Sequence, residues 1–250
     1  MPRHEKIFLS AEWRDLLMLN YEVGPAILQK YVPAGTELDS FAGKTYVSLV
    51  GFRFCRSKLL GVLPIPFHSE FEEINLRFYV KRRVGGEIRR GVVFIAEIVP
   101  KQAIALTARF FYGENYVRRP MAHRVLTNGS KMEVEFSWGT ENQRCKLQAR
   151  ASGTPSLPVE GNLQQFITEH YWGYSRQPNG GTVEYRVSHV PWKVWTASHA
   201  EFSGDTRDLY GDELSEVLKQ APASAFIADG SPVNVFCGRK LPPTPKTLSS

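Results

Sequence analysis

The stretch that decides the fold is EEINLRFYVKRRVGGEIRRGVVFIAEIV, residues 72–99. Its two halves are rich in β-branched and aromatic residues, and they flank Gly85-Gly86, a pair typical of a two-residue hairpin turn. With these glycines at the turn, the predicted cross-strand pairs are Val80 with Gly91, Arg77 with Phe94, Asn75 with Ala96 and Glu73 with Ile98. The stretch therefore predicts one long β-hairpin.

The two faces of this predicted hairpin differ in polarity. One face is apolar apart from Glu97 and consists of Ile74, Leu76, Phe78, Val93 and Ile95. The other face mixes polar and large apolar side chains, namely Glu73, Asn75, Arg77, Tyr79, Val92, Phe94, Ala96 and Ile98. A solvent-facing side would rarely carry so many large apolar residues on one strand, whereas a mixed face suits the inside of a ligand-holding barrel. The register thus predicts that Glu73, Asn75 and Arg77 line an interior pocket.

Strands also dominate the rest of the chain. We expect strands at 14–21, 46–54 and 144–151, a strand at 193–196, and hairpins around Asn128-Gly129, 178–181 and 229–232. In the hairpin around Asn128-Gly129, Arg124 is predicted to face Glu133. Residues 63–67 read as a loop because their prolines lack donors, and helices are expected at 25–31, 102–112, 163–170 and 212–220. Many strands with few short helices indicate a mainly β (α+β) class, either a barrel or a sandwich.

Length and composition bound the kind of protein. The chain has 250 residues, of which 42% are hydrophobic and 22% charged, as in ordinary globular domains. We expect one domain over residues 1–238 and a disordered proline-rich tail over 239–250. No apolar run is long enough for a membrane helix, the charged start argues against a secretory signal, and three scattered cysteines form no disulfide framework. The expected location is cytoplasmic.

The net charge of +6 raises the question of a nucleic-acid partner. One basic cluster exists, and it straddles Gly85-Gly86: Lys81, Arg82, Arg83, Arg89 and Arg90. No interleaved aromatics or recognition helix accompany it, so a solvated hairpin tip is the interpretation and a nucleic-acid partner is not expected. A polyanion contact is the alternative.

Familiar catalytic signatures are missing. The six histidines show no metal-ligand spacing, and the sequence contains no P-loop, no dinucleotide fingerprint and no nucleophile elbow. We therefore expect no metal and no cofactor.

Seven segments lie between about residues 10 and 238: WRDLL (13–17), VPAGTEL (32–38), YVSLV (46–50), FEEINLRFYV (71–80), EHYWGY (169–174), YRVSH (185–189) and DGSPV (229–233). Together they resemble the YqjF-like family of uncharacterised bacterial proteins. That family looks like a branch of the acetoacetate decarboxylase-like superfamily. The resemblance implies an antiparallel β-barrel with a few peripheral helices and a central pocket, a fold class that the hairpin periodicity reaches separately.

The resemblance to acetoacetate decarboxylase implies roles at three positions. Arg14 is similar to the arginine that binds the substrate carboxylate, Glu73 to an acidic pocket residue, and Lys101, directly after Pro100, to the Schiff-base lysine. Such a lysine condenses with a keto acid, and the iminium withdraws electrons as carbon dioxide leaves. Arg14 would hold the carboxylate and Glu73 would transfer protons. The chain departs from the pattern at Gln102, where acetoacetate decarboxylase has a second lysine that lowers the pKa of the nucleophile.

Three functions stay open on the sequence. The first is binding of a small organic acid, with or without an unknown reaction. The second is its sharper version, a Schiff-base decarboxylase or lyase with Lys101 and Glu73 as catalytic residues and Arg14, Asn75 and Arg77 as substrate-binding residues. The third is a non-catalytic ligand-sensing or interaction module, and a homo-oligomer is compatible with all three. The first two require polar residues to converge inside a cavity, whereas the third allows a filled apolar interior.

Overall fold

The computed structural model describes residues 5–64, 70–100 and 116–242. Its strands, in chain order, are β1 (Ile7–Val23), β2 (Glu37–Leu38), β3 (Thr45–Leu59), β4 (Leu63–Pro64), β5 (Phe71–Val84), β6 (Glu87–Val99), β7 (Tyr116–Arg118), β8 (Met121–Asn128), β9 (Lys131–Thr140), β10 (Gln143–Ser152), β11 (Trp172–Arg176), β12 (Thr182–Ser188), β13 (Val194–Ser203), β14 (Ser224–Phe236) and β15 (Arg239–Lys240). The helices are α1 (Pro25–Gln29), α2 (Leu163–Thr168) and α3 (Arg207–Leu218). The mainly β class is confirmed, while the predicted helix at 102–112 lies outside the described residues.

Seven strands close into a ring. Their order is β12, β11, β6, β5, β3, β1 and β14, and β14 pairs back onto β12 through Val187 with Val235 and Ser188 with Asn234. All neighbouring pairs in the ring are antiparallel except β6 with β11, which are parallel. The sequence analysis predicted an antiparallel barrel, and the structure differs from that prediction at one strand pair. The long connection through α2 places β11 parallel to β6.

A second group of strands covers one outer side of the ring. The chain of pairings runs from β14 to β13, β10, β9 and β8. Phe136 and Trp138 of this group share a buried cluster with Leu17, Ile74 and Phe78 of the ring. Because alternate residues of a strand face opposite sides, the other face of the same ring strands is left to form a separate interior cluster, which includes Leu16, Val50, Phe52 and Phe226.

The Gly85-Gly86 hairpin is confirmed, and its register changes in the half that lies farther from the turn. Both glycines have positive φ, and Val80 pairs with Gly91 and Arg77 with Phe94 as predicted. Ile95 then forms a bulge, so that Leu76 pairs with Ala96, Asn75 with Glu97 and Ile74 with Ile98. A bulge shifts every later residue on its strand by one position, which turns Ala96 and Ile98 toward the outer core and Glu97 toward the interior.

Residues 224–236 form one strand instead of the predicted hairpin. β14 runs through Gly230, whose positive φ of 78° makes a local irregularity opposite Arg14. A Cβ on Gly230 would lie 1.9 Å from the carbonyl oxygen of Trp13, so glycine alone fits there. Pro232 is accommodated because it lies between the segments of β14 that pair with β13 and with β12.

Other predicted registers and boundaries also shift. In the β8–β9 hairpin, Arg124 pairs with Glu135 rather than Glu133, although its guanidinium lies within 3.6 Å of both carboxylates. Leu63 and Pro64 pair with β3 although a loop was predicted there. Arg239 and Lys240, placed in the predicted tail, pair with β12, and Leu241 is buried. The rest of that tail, 243–250, lies outside the described residues.

The basic cluster at the hairpin is mostly engaged in ion pairs. Arg82, Arg89 and Arg239 contact the fully buried carboxylate of Glu184, while Lys81 and Arg90 lie within 3.6 Å of the buried Asp39. Although burial acts to raise the pKa of Glu184, hydrogen bonds from Arg239 and Arg82 hold it below its ordinary value. Arg83 and Arg90 are the exposed members of the cluster, with 69% and 51% of their side chains accessible. The interpretation as a solvated tip is therefore wrong for most of the cluster.

Candidate functional site

The ring encloses a small cavity of about 40 Å³. All seven ring strands contribute side chains to its wall. The polar lining residues are Glu73, Asn75, Arg77, Glu97, Thr168, His170 and His189, and the aromatic ones are Trp13, Phe52, Phe54, Phe94, Trp172, Tyr185 and Trp192. A concave, largely apolar chamber with a few convergent polar groups is the usual form of a small-molecule site.

Two carboxyl groups, those of Glu73 and Glu97, lie close together in the wall of this cavity. Glu73 on β5 is 2% exposed and Glu97 on β6 is 1% exposed, and the Ile95 bulge brings them to the same face. Burial and the negative charge of Glu97 raise the pKa of Glu73 well above its ordinary value, while the hydrogen bond from Asn75 Nδ2 to Glu73 Oε1, at 3.1 Å, acts in the opposite direction. The raised pKa favours the neutral, protonated form of Glu73, which can donate a hydrogen bond.

Arg77 is a buried cation that has no ion-pair partner among the described residues. Its Nη2 donates to the carbonyl oxygen of Ile167 at 3.2 Å and contacts Met18 Sδ at 3.8 Å, and the guanidinium lies 5.9 Å from the ring centre of Tyr79. Arg77 is 8% exposed, and its Nε has no hydrogen-bond partner among the described residues. No carboxylate in the described part of the chain lies within 4.0 Å of it, although a buried charge is costly unless it is paired.

Two histidines, His170 and His189, line the cavity close to Arg77. Burial, followed by the charges of Arg77 and Arg90, lowers the pKa of His170 well below its ordinary value, against the effect of the Ile167 carbonyl. Burial likewise lowers the pKa of His189, and the charge of Arg77 adds to this while the Val190 carbonyl, 2.9 Å from His189 Nδ1, opposes it. Both rings are therefore neutral at physiological pH, and Arg77 is the cation of this group.

Helix α2 closes the cavity at the Arg77 end. Asn162 caps the helix by accepting a hydrogen bond from the Gln165 backbone N–H at 2.8 Å. Phe166 packs against Tyr79, with ring centres 5.2 Å apart, and His170 follows with its ring 4.7 Å from that of Tyr79. The Tyr79 hydroxyl in turn bonds to Ser48 on β3, which fixes the ring that Arg77 lies beside.

A match over most of the chain establishes the family. A model of the DUF2071 family, described as an uncharacterized conserved protein, matches residues 10–232. The chain belongs to the DUF2071 family. "Uncharacterized protein YqjF" of Bacillus subtilis (strain 168) is 27% identical over 206 residues, which cover 82% of each chain. The YqjF-like relationship drawn from the sequence is thus confirmed.

The fold of this DUF2071 protein is that of acetoacetate decarboxylase-like structures. The enduracididine biosynthesis enzyme MppR complexed with pyruvate matches with a TM-score of 0.65 at 15% identity, covering 94% of this chain and 91% of that one. Acetoacetate decarboxylase from Legionella pneumophila matches with a TM-score of 0.65 at 12% identity, over 94% and 88% of the two chains. An acetoacetate decarboxylase-like enzyme from Sphingomonas wittichii RW1 gives a TM-score of 0.61 at 16% identity, over 95% and 94%. At these identities the likeness concerns the fold.

Three of the five predicted site residues meet in the cavity of the DUF2071 protein. Glu73, Asn75 and Arg77 follow one another along the inner face of β5. Arg14 lies outside the lining, because the chain bulges between Arg14 and Leu17 and Trp13 takes the inward position. Its guanidinium instead bonds to Glu12 at 2.7 Å with 39% of the side chain exposed. Lys101 lies outside the described residues.

Sequence reasoning missed most of the other lining residues, among them Glu97, His170, His189 and Trp13. Glu97 was visible as the one charge on an otherwise apolar face, which is the signal that a bulge leaves in a strand pattern. The histidines were weighed only as metal ligands. In the described part of the DUF2071 chain no group of three potential ligands could hold a metal ion, and no helix there is long and apolar enough to cross a membrane.

Proposed function

We propose that this protein binds a small organic acid inside the strand ring, with the ligand carboxylate on Arg77. The observation that carries this proposal is the buried guanidinium of Arg77, which faces the cavity with an unsatisfied Nε and no ion-pair partner among the described residues. A carboxylate would supply the missing charge and accept the free N–H. Binding of a carboxylate would therefore offset the desolvation free energy of the buried guanidinium.

The carboxyl pair supports a keto acid as the class of ligand. Glu73, protonated because of burial and the nearby Glu97, can donate a hydrogen bond to a neutral carbonyl oxygen. A 2-keto or 3-keto acid carries both a carboxylate and such an oxygen. MppR, which shares the fold, has a structure complexed with pyruvate, and this adds support for the same class.

Titration calorimetry with pyruvate and acetoacetate tests the proposal. We expect saturable binding of at least one of these acids, and none of acetone or methyl pyruvate, which lack the carboxylate charge that Arg77 would neutralise. Failure of both acids to bind, or equal binding of acid and methyl ester, would contradict the assignment of the carboxylate to Arg77.

The sharper form of this function is a Schiff-base lyase that uses Lys101. Lys101 follows Pro100 directly, and Pro100 follows the strand that carries Glu97. In the step proposed, the Lys101 amine attacks the keto carbon and a carbinolamine loses water to give an iminium. Glu73 would donate the proton to the departing hydroxyl.

Borohydride trapping separates this lyase from plain binding. Hydride addition to the iminium gives a stable secondary amine, so we expect one reduced pyruvate per chain on the peptide that contains Lys101. The Lys101→Gln variant should yield no adduct, and the Lys193→Gln variant, altered well outside the cavity lining, should yield the wild-type amount. Saturable binding without any adduct would rule out the lyase and leave a ligand-sensing module.

A further inference from the structure

A second chamber lies next to the cavity that contains Arg77. It has a volume of about 50 Å³ and is called the outer chamber here; its wall includes Ser175, Val183, Tyr185, Val235, Cys237 and Gly238. Tyr185 on β12 and Val235 on β14 line both the outer chamber and the Arg77 cavity. Cys237 and Gly238 are exposed, so the outer chamber borders the protein surface. The two spaces are therefore neighbours that share Tyr185 and Val235 as a common wall.

Alternation along β12 explains this arrangement. Val183, Tyr185 and Val187 are two residues apart, so their side chains point to the same face of the strand. Val183 lines the outer chamber, Val187 lines the Arg77 cavity, and Tyr185 lies between them and lines both. One strand face thus runs through both spaces, and the phenol ring of Tyr185 stands where they meet.

A glycine on the neighbouring strand leaves room for this ring. Gly173 on β11 pairs with Tyr185, and a Cβ on Gly173 would lie 2.0 Å from Tyr185 Cζ. The ring therefore lies across a position that a larger residue would fill. Tyr185 is 7% exposed and packs in one buried cluster with Val187 and Val235. Tyr185 is consequently a packed partition between the two spaces.

The partition lies in the direction in which a ligand would extend from Arg77. Arg77 pairs with Phe94 on β6, and Phe94 lines the cavity. Phe94 also packs against the cluster of Tyr185, Val187 and Val235. A carbon chain that leaves Arg77 along the ring of Phe94 would therefore reach Tyr185.

The size of the Arg77 cavity limits the length of such a chain. Its volume is about 40 Å³, and one water needs roughly 10–15 Å³ on this measure, so the cavity has room for about three waters. This space suits a three- or four-carbon acid. Each further methylene group would have to displace packed side chains, which is unfavourable in a dense interior. The space that a longer chain needs lies behind Tyr185, in the outer chamber.

We infer that Tyr185 is a specificity-determining residue, which restricts the cavity to short keto acids by separating it from the outer chamber. This inference rests on the proposed function and adds the residue that sets the length of its ligand. Removing the phenol ring would join the two spaces and admit a longer chain whose carboxylate stays on Arg77.

A series of straight-chain 2-keto acids tests the inference by calorimetry. The probes are pyruvate, 2-oxobutyrate, 2-oxovalerate and 2-oxohexanoate, which share the same acid end and differ by one methylene each. We expect wild-type affinity to fall by about tenfold or more between the four-carbon and the five-carbon acid. In the Tyr185→Ala variant affinity should instead rise along the series, by about fourfold for each added methylene, while pyruvate still binds.

Two further variants make the comparison specific to the partition. Val235→Ala opens the shared wall from the side of β14, so it should also favour the longer acids, by a smaller factor than Tyr185→Ala. Val183→Ala enlarges the outer chamber alone, because Val183 does not line the Arg77 cavity. The Val183→Ala variant should therefore keep the wild-type preference for short acids.

The outcomes separate this inference from the function beneath it. A wild-type protein that binds the six-carbon acid as tightly as pyruvate would overturn the length limit and leave acid binding intact. A wild-type preference in Tyr185→Ala, or an equal gain in Val183→Ala, would overturn the role of Tyr185. Loss of pyruvate binding in both Tyr185→Ala and Val235→Ala would also overturn it, since the wall would then be needed for the short acid itself. No binding of any of the four acids to wild type would overturn the proposed binding of 2-keto acids and the inference with it.

Discussion

Replacing Arg77 with methionine is expected to weaken the binding of pyruvate or acetoacetate by about 100-fold or more, because truncating one partner of a buried charge pair costs about 2–5 kcal/mol. The wild-type guanidinium has a free Nε and lies in the cavity without a carboxylate partner among the described residues. Methionine fills similar space but offers neither charge nor donor. Calorimetric dissociation constants for both acids measure the effect.

The Arg14→Met variant is the matched control for this change. Arg14 is the residue that the superfamily resemblance assigns to carboxylate binding, yet its side chain is bonded to Glu12 and lies outside the cavity lining. We expect its affinity to stay within about twofold of wild type, since surface ion pairs contribute little. A large loss of affinity in Arg14→Met with little loss in Arg77→Met would assign the ligand carboxylate to Arg14 instead of Arg77.

The Arg77→Met substitution should not destabilise the ligand-free protein. Removing a buried, unpaired cation and leaving a well-packed apolar side chain is often neutral or stabilising. We therefore expect the Arg77→Met protein to melt at a temperature no lower than wild type without ligand, while losing the rise in melting temperature that a bound acid gives to wild type. Stability retained with binding lost is the signature of a residue kept for its ligand.

The Glu73→Gln substitution is expected to stabilise the protein by about 2 kcal/mol at pH 8, the scale of the penalty for a poorly compensated buried polar group. Burial and Glu97 raise the pKa of Glu73 well above the ordinary glutamate value of 4.5. Below that value the carboxyl is protonated in both the folded and the unfolded chain. As the pH rises above it, the unfolded chain releases its proton while the folded chain retains it, so stability falls until the pH passes the folded pKa.

Glutamine removes this pH dependence because it is neutral throughout. Chemical denaturation at pH 4, 6 and 8 should show wild type and Glu73→Gln converging at pH 4 and separating toward pH 8. The Glu72→Gln variant is the control, because Glu72 bonds to His123 on the outside and is not part of the cavity lining. A Glu73→Gln protein that is less stable at every pH, with an unchanged pH slope, would contradict a protonated Glu73.

The sequence carried enough information to find one wall of the site. Alternation along β5 placed Glu73, Asn75 and Arg77 on a single face, and the mixed polarity of that face indicated a pocket. This worked because the period of a strand is short and the Gly85-Gly86 turn anchors the register. The family resemblance and the hairpin pattern then agreed on a closed arrangement of strands.

What the sequence could not supply came from irregularities in the strands. The bulge at Ile95 turned Glu97 into the cavity, and the irregularity after Arg14 gave the inward position to Trp13. The lone charge of Glu97 on an apolar face is a sign of a bulge, but its position depends on packing between strands. The segment Asp229-Gly230-Ser231-Pro232 consists of typical turn residues, yet it lies within strand β14. Gly230 lies against the Trp13 carbonyl, where a residue with a Cβ would not fit.

A crystal structure of the protein with pyruvate tests the central claim most directly. We expect the ligand inside the strand ring, with a carboxylate oxygen about 2.7–3.0 Å from Arg77 Nε. A ligand bound outside the ring, or one whose carboxylate contacts Arg14 while Arg77 stays unpaired, would contradict it.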